Sequence, residues 1–248
     1  AILFASGGQI RRIFDKSFET PAGLPTHVYL AGQYEEEVCT ENGLSFKVDY
    51  EQGQKTGFFI DQRENRELLR KYAAGKSVLN TFCYSGGFSV YALAGGAGQV
   101  VSVDSSASAL DMTIQNVGLN QAGSANHEAI RADVPEWLKG VNQQFDLVVV
   151  DPPAFAKHTE ARHRAVQAYK RLNANAIKQV RPGGMMFSFS CSQVVDRELF
   201  RHTLTAAAIE SGRKVQVLHQ LSQGPDHPVN ASHPEAEYLK GLVSVVEP

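Results

Sequence analysis

Phe145-Asp146-Leu147-Val148-Val149-Val150-Asp151-Pro152-Pro153 decides the fold. Apart from Asp146, residues 145–150 form an apolar run of strand length, and the two prolines after Asp151 end it. A run of this kind belongs to a parallel strand buried on both faces. Upstream, the pattern predicts strands at Ser77–Phe82, Val100–Asp104 and, weakly, Glu128–Ala132, with helices near 88–94, at 106–120 and at 134–139 between them. Downstream it predicts a helix over 161–180, closed by Arg181-Pro182-Gly183-Gly184. A strand Met185–Ser190, a helix 196–211 and strands 214–220 and 239–246 follow. Alternating strands and helices predict an α/β fold with a doubly wound, Rossmann-like, mostly parallel sheet. A Pro/His-rich loop, 221–238, takes the place of a helix between the last two strands, so the last strand is expected to be antiparallel.

Ahead of this sheet the spacing predicts a helix over 62–73. It starts at Asp61-x-x-Glu64, read as a capping box, and stops near Gly75. Residues 1–53 are β-rich. Short runs at Gln9–Phe14, His27–Ala31 and Glu35–Thr40 precede Leu44, Phe46, Val48 and Tyr50, which alternate at period two. The expected division is a small hairpin subdomain, 1–53, and a large α/β domain, 54–248.

The 248 residues suit one large domain plus such an appendage. No apolar run approaches the roughly 20 residues that span a bilayer, so no membrane role is expected. Three scattered Cys give neither a disulfide framework nor a zinc cluster, which fits a reducing cytoplasm. His227 and His233 match no metal-ligand spacing, so no metal is expected. The net charge of −2 carries no global electrostatic footprint for nucleic acid, and any such role must rest on a local patch. The opening Ala-Ile-Leu-Phe reads as a start in mid-protein.

In an open α/β sheet, ligands sit beyond the carboxyl ends of the strands. Four such ends can be read. The first is Phe82-Cys83-Tyr84-Ser85-Gly86-Gly87, whose glycines permit a tight turn but do not make the G-x-G-x-x-G pyrophosphate fingerprint. The second is Asp104, placed to accept two ribose hydroxyls. The third is Asp133, placed to meet an adenine amino group, and the fourth is Asp151. Each Asp taken alone is first a turn or N-cap residue. Together, at one sheet edge, they read as a site for S-adenosylmethionine and disfavour a dinucleotide dehydrogenase.

The segments Gln54–Arg63, Phe82–Phe88, Asp151–Phe155, Ser188-Phe189-Ser190-Cys191-Ser192, Asp226-His227-Pro228-Val229 and Tyr238-Leu239-Lys240-Gly241 resemble, as a set, the ribosomal large subunit methyltransferase I family. Its members are cytosine-C5 methyltransferases of large-subunit (23S) rRNA that use S-adenosylmethionine. The resemblance implies that Lys55, Thr56, Phe58 and Arg63 line the cofactor site with Phe82, Tyr84, Ser85, Gly86, Gly87, Asp104, Asp133 and Asp151. On physical grounds Arg63 could clamp the methionine carboxylate bidentately or lie on a helix surface. Gly57, Phe58 and Phe59 could equally pack into a core. Family members usually carry an N-terminal PUA RNA-binding domain, which is not in this sequence.

Carbon 5 of cytosine is a poor nucleophile until a thiolate adds to carbon 6. Cys191 ends the fifth strand, and Asp151 ends the fourth. Sequential parallel strands are usually neighbours, so the two are expected to face one pocket. Cys191 alone could be a small buried Cys; with the Ser-Cys-Ser motif it reads as the nucleophile, with Asp151 bonding the base. Cys83 reads as packing or cofactor-lining, and Cys39 as structural. Pro152, Pro153 and Phe155 are read as substrate-facing, with Phe155 stacking on a base. Lys157, Arg162 and Arg164 lead a run, extending to Lys170 and Arg171, of five basic residues against one Glu. It reads as a phosphate-contacting wall or a solvated face. The expected partner is RNA, with homodimerisation left open. Two alternatives stay open: methylation of guanine or an exocyclic amine through Asp-Pro-Pro without a Cys nucleophile, and an RNA-binding module with a vestigial cofactor site.

Overall fold

The structure, a computed structural model, describes residues 2–17, 27–120, 126–156, 158–233 and 236–247. They fall into two compact units. One comprises Ala1–Thr40 with Phe46–Phe59, the other Glu41–Ser45 with Ile60–Pro248.

The smaller unit holds a helical turn α1 (Ile2–Ala5) and an antiparallel pair, β1 (Ile13–Asp15) with β2 (Val28–Ala31). Its aromatic residues pack on one another: Phe14 lies 5.0 Å from Tyr29, and Phe46 lies 4.8 Å from Phe58. Lys16 Nζ donates to the Tyr50 carbonyl at 2.9 Å, and Tyr29 donates to Glu51 at 2.6 Å. A second hairpin pairs β3 (Val38–Glu41) with β4 (Leu44–Lys47). The predicted alternation holds for Leu44 and Phe46, which are buried, but the strand stops at Lys47, short of Val48 and Tyr50.

The larger unit is built on a seven-stranded sheet. Its strands are β5 (Ser77–Thr81), β6 (Gln99–Asp104), β7 (His127–Arg131), β8 (Phe145–Val150), β9 (Val180–Ser190), β10 (Val215–Leu221) and β11 (Lys240–Val246). The spatial order is β10-β11-β9-β8-β5-β6-β7, with β5 to β9 parallel and β11 antiparallel to both β9 and β10. The last strand is therefore the antiparallel one, as its helix-free connection predicts. It inserts between β9 and β10 rather than adding at the edge.

The helices are α2 (Arg63–Tyr72), α3 (Gly87–Ala94), α4 (Ala107–Leu119), α5 (Val134–Gly140), α6 (Arg162–Lys178) and α7 (Arg197–Ser211). From β5 the chain steps outward through β6 to β7, then returns past β5 to β8 and β9. Right-handed crossovers therefore put α3 and α4 on one face and α5, α6 and α7 on the other. Tyr169, Leu172 and Ile177 of α6 join Phe200 and Leu204 of α7 in one core with Phe145, Val148 and Val150 of β8. That two-sided cover is why β8 reads as an apolar run. The direction of progression reverses between β5 and β8, which makes their carboxyl ends the ligand-binding crevice of such a sheet.

Two local expectations are corrected. Asp61 does not cap α2: the N-cap is Gln62, without a side-chain cap bond, and Asp61 lies in a 3-10 turn, Ile60–Gln62. Nor does Arg181-Pro182-Gly183-Gly184 form a separate closing turn. It is the irregular start of β9, where the register shifts against β8 and an added Cβ on Gly184 would meet the Asp146 carbonyl at 2.7 Å.

Candidate active site at the carboxyl edge of the sheet

The turn after β5 is held in an uncommon backbone conformation. Phe82 (φ 55°), Tyr84 (φ 47°) and Gly86 (φ 77°) are all left-handed within five residues. Non-glycine residues there cost of order 1–3 kcal/mol and persist only where their surroundings fix them. Here α4 does so: Thr113 Oγ1 donates to the Tyr84 carbonyl and Asn116 Nδ2 to the Ser85 carbonyl, both at 2.8 Å. At Gly86 a Cβ would also run into Thr113 at 2.6 Å. Ser85 is buried, Phe82 packs on the core, and Gly87 opens α3 with a Cβ position 3.0 Å from Arg66. Cys83 is buried beside Thr113, and burial pushes its thiol up to about 12, which suits packing rather than reaction.

Asp104, at the end of β6, accepts the Tyr84 amide at 3.0 Å through one carboxylate oxygen and the Ser106 amide at 2.9 Å through the other. It ties the β5 turn to the start of α4. Each of its oxygens keeps further acceptor capacity. Asp133 is exposed and caps α5, accepting the Glu136 amide at 3.1 Å.

At the end of β8, Asp151 joins a network that α2 supplies. Gln62 Nε2 donates to Asp151 Oδ2 at 3.1 Å, and Asn65 Nδ2 donates to Gln62 Oε1 at 2.6 Å. Burial and the neighbouring Asp61 carboxylate raise the Asp151 carboxyl to about 7, against the opposing bond from Gln62. Asp61 Oδ2 accepts the Tyr238 hydroxyl at 2.7 Å, while Asp61 Oδ1 is buried without a hydrogen-bond partner. The loop between β10 and β11 folds over this corner. Asn65 reaches the Ser222 carbonyl at 3.2 Å, the Gly224 amide reaches the Asp61 carbonyl at 3.3 Å, and Arg63 Nη1 pairs with Asp226 at 3.0 Å. Arg63 also pairs with Glu64 at 3.1 Å.

Cys191 follows β9, the parallel neighbour of β8, and is half-buried. Val150 stands opposite Ser188, so Asp151 and Cys191 leave the same sheet edge on adjacent strands. Ser192 Oγ donates to the Ala156 carbonyl at 2.6 Å, tying the Cys191 loop to the Asp-Pro-Pro loop. Buried Tyr169 of α6 feels the charges of both Cys191 and Asp151. Pro152 is buried and Pro153 exposed. Phe155 lays its ring on Tyr169 at 4.6 Å, so its contact here is with the core side of the loop.

Lys55, Thr56 and Phe58 belong to the smaller unit. Lys55 sits 5.4 Å over the Phe59 ring, Thr56 Oγ1 donates to the Phe58 carbonyl at 3.0 Å, and Phe58 is in core contact with Phe46. Lys157 lies outside the described residues. Arg162 and Arg164 are exposed at the start of α6, where Arg162 pairs with Asp196 at 3.4 Å; Lys170 further along pairs with Glu210 at 2.8 Å. Part of the basic run is thus offset within the protein.

Sequence reasoning gave no site role to Asp61, read there only as a capping residue, nor to Gln62, Tyr238 or Lys240. Lys240 is 3% exposed, and its Nζ donates to the carbonyls of Ser192 and Tyr238, both at 2.7 Å. The motifs Asp61-Gln62-Arg63 and Tyr238–Gly241 were the available signal.

A family model described as S-adenosylmethionine-dependent methyltransferase matches residues 25–242. Proteins named Ribosomal RNA large subunit methyltransferase I are similar to the chain. That of Serratia proteamaculans is 46% identical over 206 residues, 82% of this chain and 52% of the relative. That of Aeromonas salmonicida is 44% identical over 209 residues, 83% and 53% respectively. The chain spans about half the length of these relatives. Among solved structures, a candidate SAM-dependent methyltransferase from Streptococcus mutans superposes with a TM-score of 0.79 at 26% identity, over 89% of this chain and 58% of that one. A second, 27% identical with the same score and coverage, is a candidate methyltransferase complexed with SAH. The match extends from the smaller unit into β11 and takes in the β5 turn, Asp104, Asp151 and Cys191, and by it the chain belongs to the S-adenosylmethionine-dependent methyltransferase family.

Proposed function

We propose that the chain is the catalytic part of an rRNA methyltransferase that transfers a methyl group from S-adenosylmethionine to carbon 5 of a cytosine in large-subunit rRNA. The observation that carries this reading is the placement of Cys191 and Asp151 at the ends of adjacent parallel strands, with their loops joined by the Ser192–Ala156 bond. The names of the curated relatives support the RNA substrate.

The residues present fit the cofactor. The tight β5 turn admits a close backbone approach, Asp104 offers an oriented carboxylate to the ribose, and Asp61 Oδ1 is a buried acceptor suited to the ammonium of the methionine moiety. The cofactor supplies an electrophilic methyl group on a sulfonium. In the reaction the Cys191 thiolate adds to carbon 6 of the base, and the electron pair of the 5,6 double bond makes carbon 5 nucleophilic. Carbon 5 then takes the methyl group. Loss of its proton to a base, with expulsion of the Cys191 sulfur, restores the ring. Asp151, with a carboxyl near 7, can hold a proton for N3 of the cytosine during the addition. The base must leave its stack to reach this edge.

The test is Cys191→Ala together with 5-fluorocytidine RNA. Fluorine blocks proton loss, so the wild type should remain covalently attached to the RNA through Cys191. Cys191→Ala should form neither adduct nor methylated product while keeping cofactor binding. Substantial methyl transfer by Cys191→Ala, with no adduct in the wild type, would move the assignment to an exocyclic-amine or guanine acceptor held by Asp151-Pro152-Pro153.

A further inference from the structure

Lys240 is a charged residue where the fold has little room for one. It opens β11, stands opposite Ser190 in the antiparallel register with β9, and is 3% exposed. Two of its three ammonium protons go to the carbonyls of Ser192 and Tyr238, on either side of the Cys191 corner. A buried ammonium held only by carbonyls is costly unless a counter-charge is near. Glu237 is already engaged by Arg197. Cys191 lies between Ser190, which faces Lys240 across the strands, and Ser192, whose carbonyl Lys240 holds, so a thiolate there favours the ionised form of Lys240, as do Glu237 and Asp196, while Arg197 opposes it. The interaction is reciprocal: whatever a thiolate does for the ammonium, the ammonium does for the thiolate.

We propose that Lys240 is the positioning residue that keeps Cys191 in its thiolate form while fixing the Ser190–Ser192 corner against β11. The inference rests on the reading of Cys191 as the nucleophile. The other groups around the thiol are compatible with it. Tyr169 of α6 and Tyr238 of the loop before β11 are phenols raised by burial, and so stay neutral donors. Asp151 at the end of β8 is raised towards its neutral form, which limits its repulsion of a thiolate. Burial lowers Lys240 itself to about 8, so the ammonium persists at neutral pH and is lost above it. The active ion pair therefore has an upper pH limit set by Lys240.

The experiment is the pH profile of iodoacetamide alkylation at Cys191 in the full chain, with the modified peptide resolved from those of Cys39 and Cys83 by mass spectrometry. The wild type should show a midpoint at least about one pH unit below the ordinary thiol value of about 8.5. Lys240→Met should move the midpoint up by about one unit or more, slowing alkylation at pH 7 about ten-fold, and Lys240→Arg should restore most of the loss. A wild-type midpoint at or above the ordinary value overturns the inference without any variant, so a poorly folding Lys240→Met does not shelter it. An unchanged midpoint in a Lys240→Met protein with wild-type melting also overturns it. Neither result touches the function proposed above, which stands or falls on Cys191→Ala and the fluorinated RNA.

Discussion

The Tyr238 hydroxyl donates to Asp61 Oδ2 at 2.7 Å, joining residues 177 positions apart. This bond fixes which oxygen of Asp61 is used and leaves the other, buried and unpartnered, to bear on Asp151. Two carboxylates in one partly desolvated corner cannot both ionise freely. Asp61→Asn should therefore lower the Asp151 carboxyl from about 7 towards 3.8, read by carbon-detected titration of the labelled side chain. An unmoved Asp151 would show that burial alone raises it.

The same carboxyl predicts a pH dependence of stability. A carboxyl whose folded value lies above its unfolded one holds its proton more tightly in the fold. Its contribution is complete below about 4 and is lost as pH rises towards 7. Asp151→Asn should flatten the fall in melting temperature across that window and gain on the order of 1–3 kcal/mol at pH 7, while activity collapses. Thermal melts at about pH 4 and about pH 7, roughly the ends of that window, compare the two proteins directly.

Arg66 and Glu41 form a buried charge pair in the larger unit. Arg66 Nη2 meets both carboxylate oxygens, at 2.6 and 2.8 Å, Nε adds a third bond at 3.0 Å, and Tyr91 donates to Glu41 at 2.9 Å. Removing one partner leaves the other charge buried. Arg66→Met should cost about 3–5 kcal/mol in denaturant unfolding. Arg66→Met with Glu41→Gln should recover part of that loss, because the stranded charge is gone.

Asp104 and Asp133 allow cofactor contact to be tested against capping. Asp104→Ala should weaken S-adenosylmethionine binding by about 2–4 kcal/mol by calorimetry, through lost ribose bonds and release of the Tyr84 amide. Asp133→Ala removes the α5 cap and should cost about 1 kcal/mol of stability. If Asp133→Ala also weakens cofactor binding by more than that, Asp133 reaches the adenine as well.

These contrasts mark what the sequence could carry. Phe145–Val150 was legible because two-sided burial leaves its mark on every position but Asp146, which is half-buried and bonds Ser77 and Arg181. The adjacency of β8 and β9, and the antiparallel last strand, followed from connection rules that act at the level of whole elements. What failed were local patterns decided by distant partners. Asp61-x-x-Glu64 looks like a capping box, yet Tyr238 draws Asp61 into the site and Gln62 takes the cap position. Pro182-Gly183-Gly184 looks like a turn, yet its approach to Asp146 makes it the bulged start of β9. Lys240 carries no local pattern of burial; it is buried because the chain brings the carbonyls of Ser192 and Tyr238 to its ammonium.

The start of α6 offers the test of RNA contact. Arg164 is exposed, whereas Arg162 is shared with Asp196, the cap of α7, at 3.4 Å. A side chain already paired within the protein gains less from a phosphate, since the old pair must first be broken. If this helix start meets RNA, Arg164→Glu should weaken binding more than Arg162→Glu. Each lost phosphate contact should lower the slope of log affinity against log salt by roughly 0.7–0.9. Asp196→Asn, which frees Arg162, should strengthen RNA binding slightly, and less so once Arg162 is also changed to Glu. Filter binding of a large-subunit rRNA fragment at several salt concentrations gives all three numbers. Identical slopes in the wild type and in both arginine variants would make this helix a solvated face and place the RNA surface elsewhere.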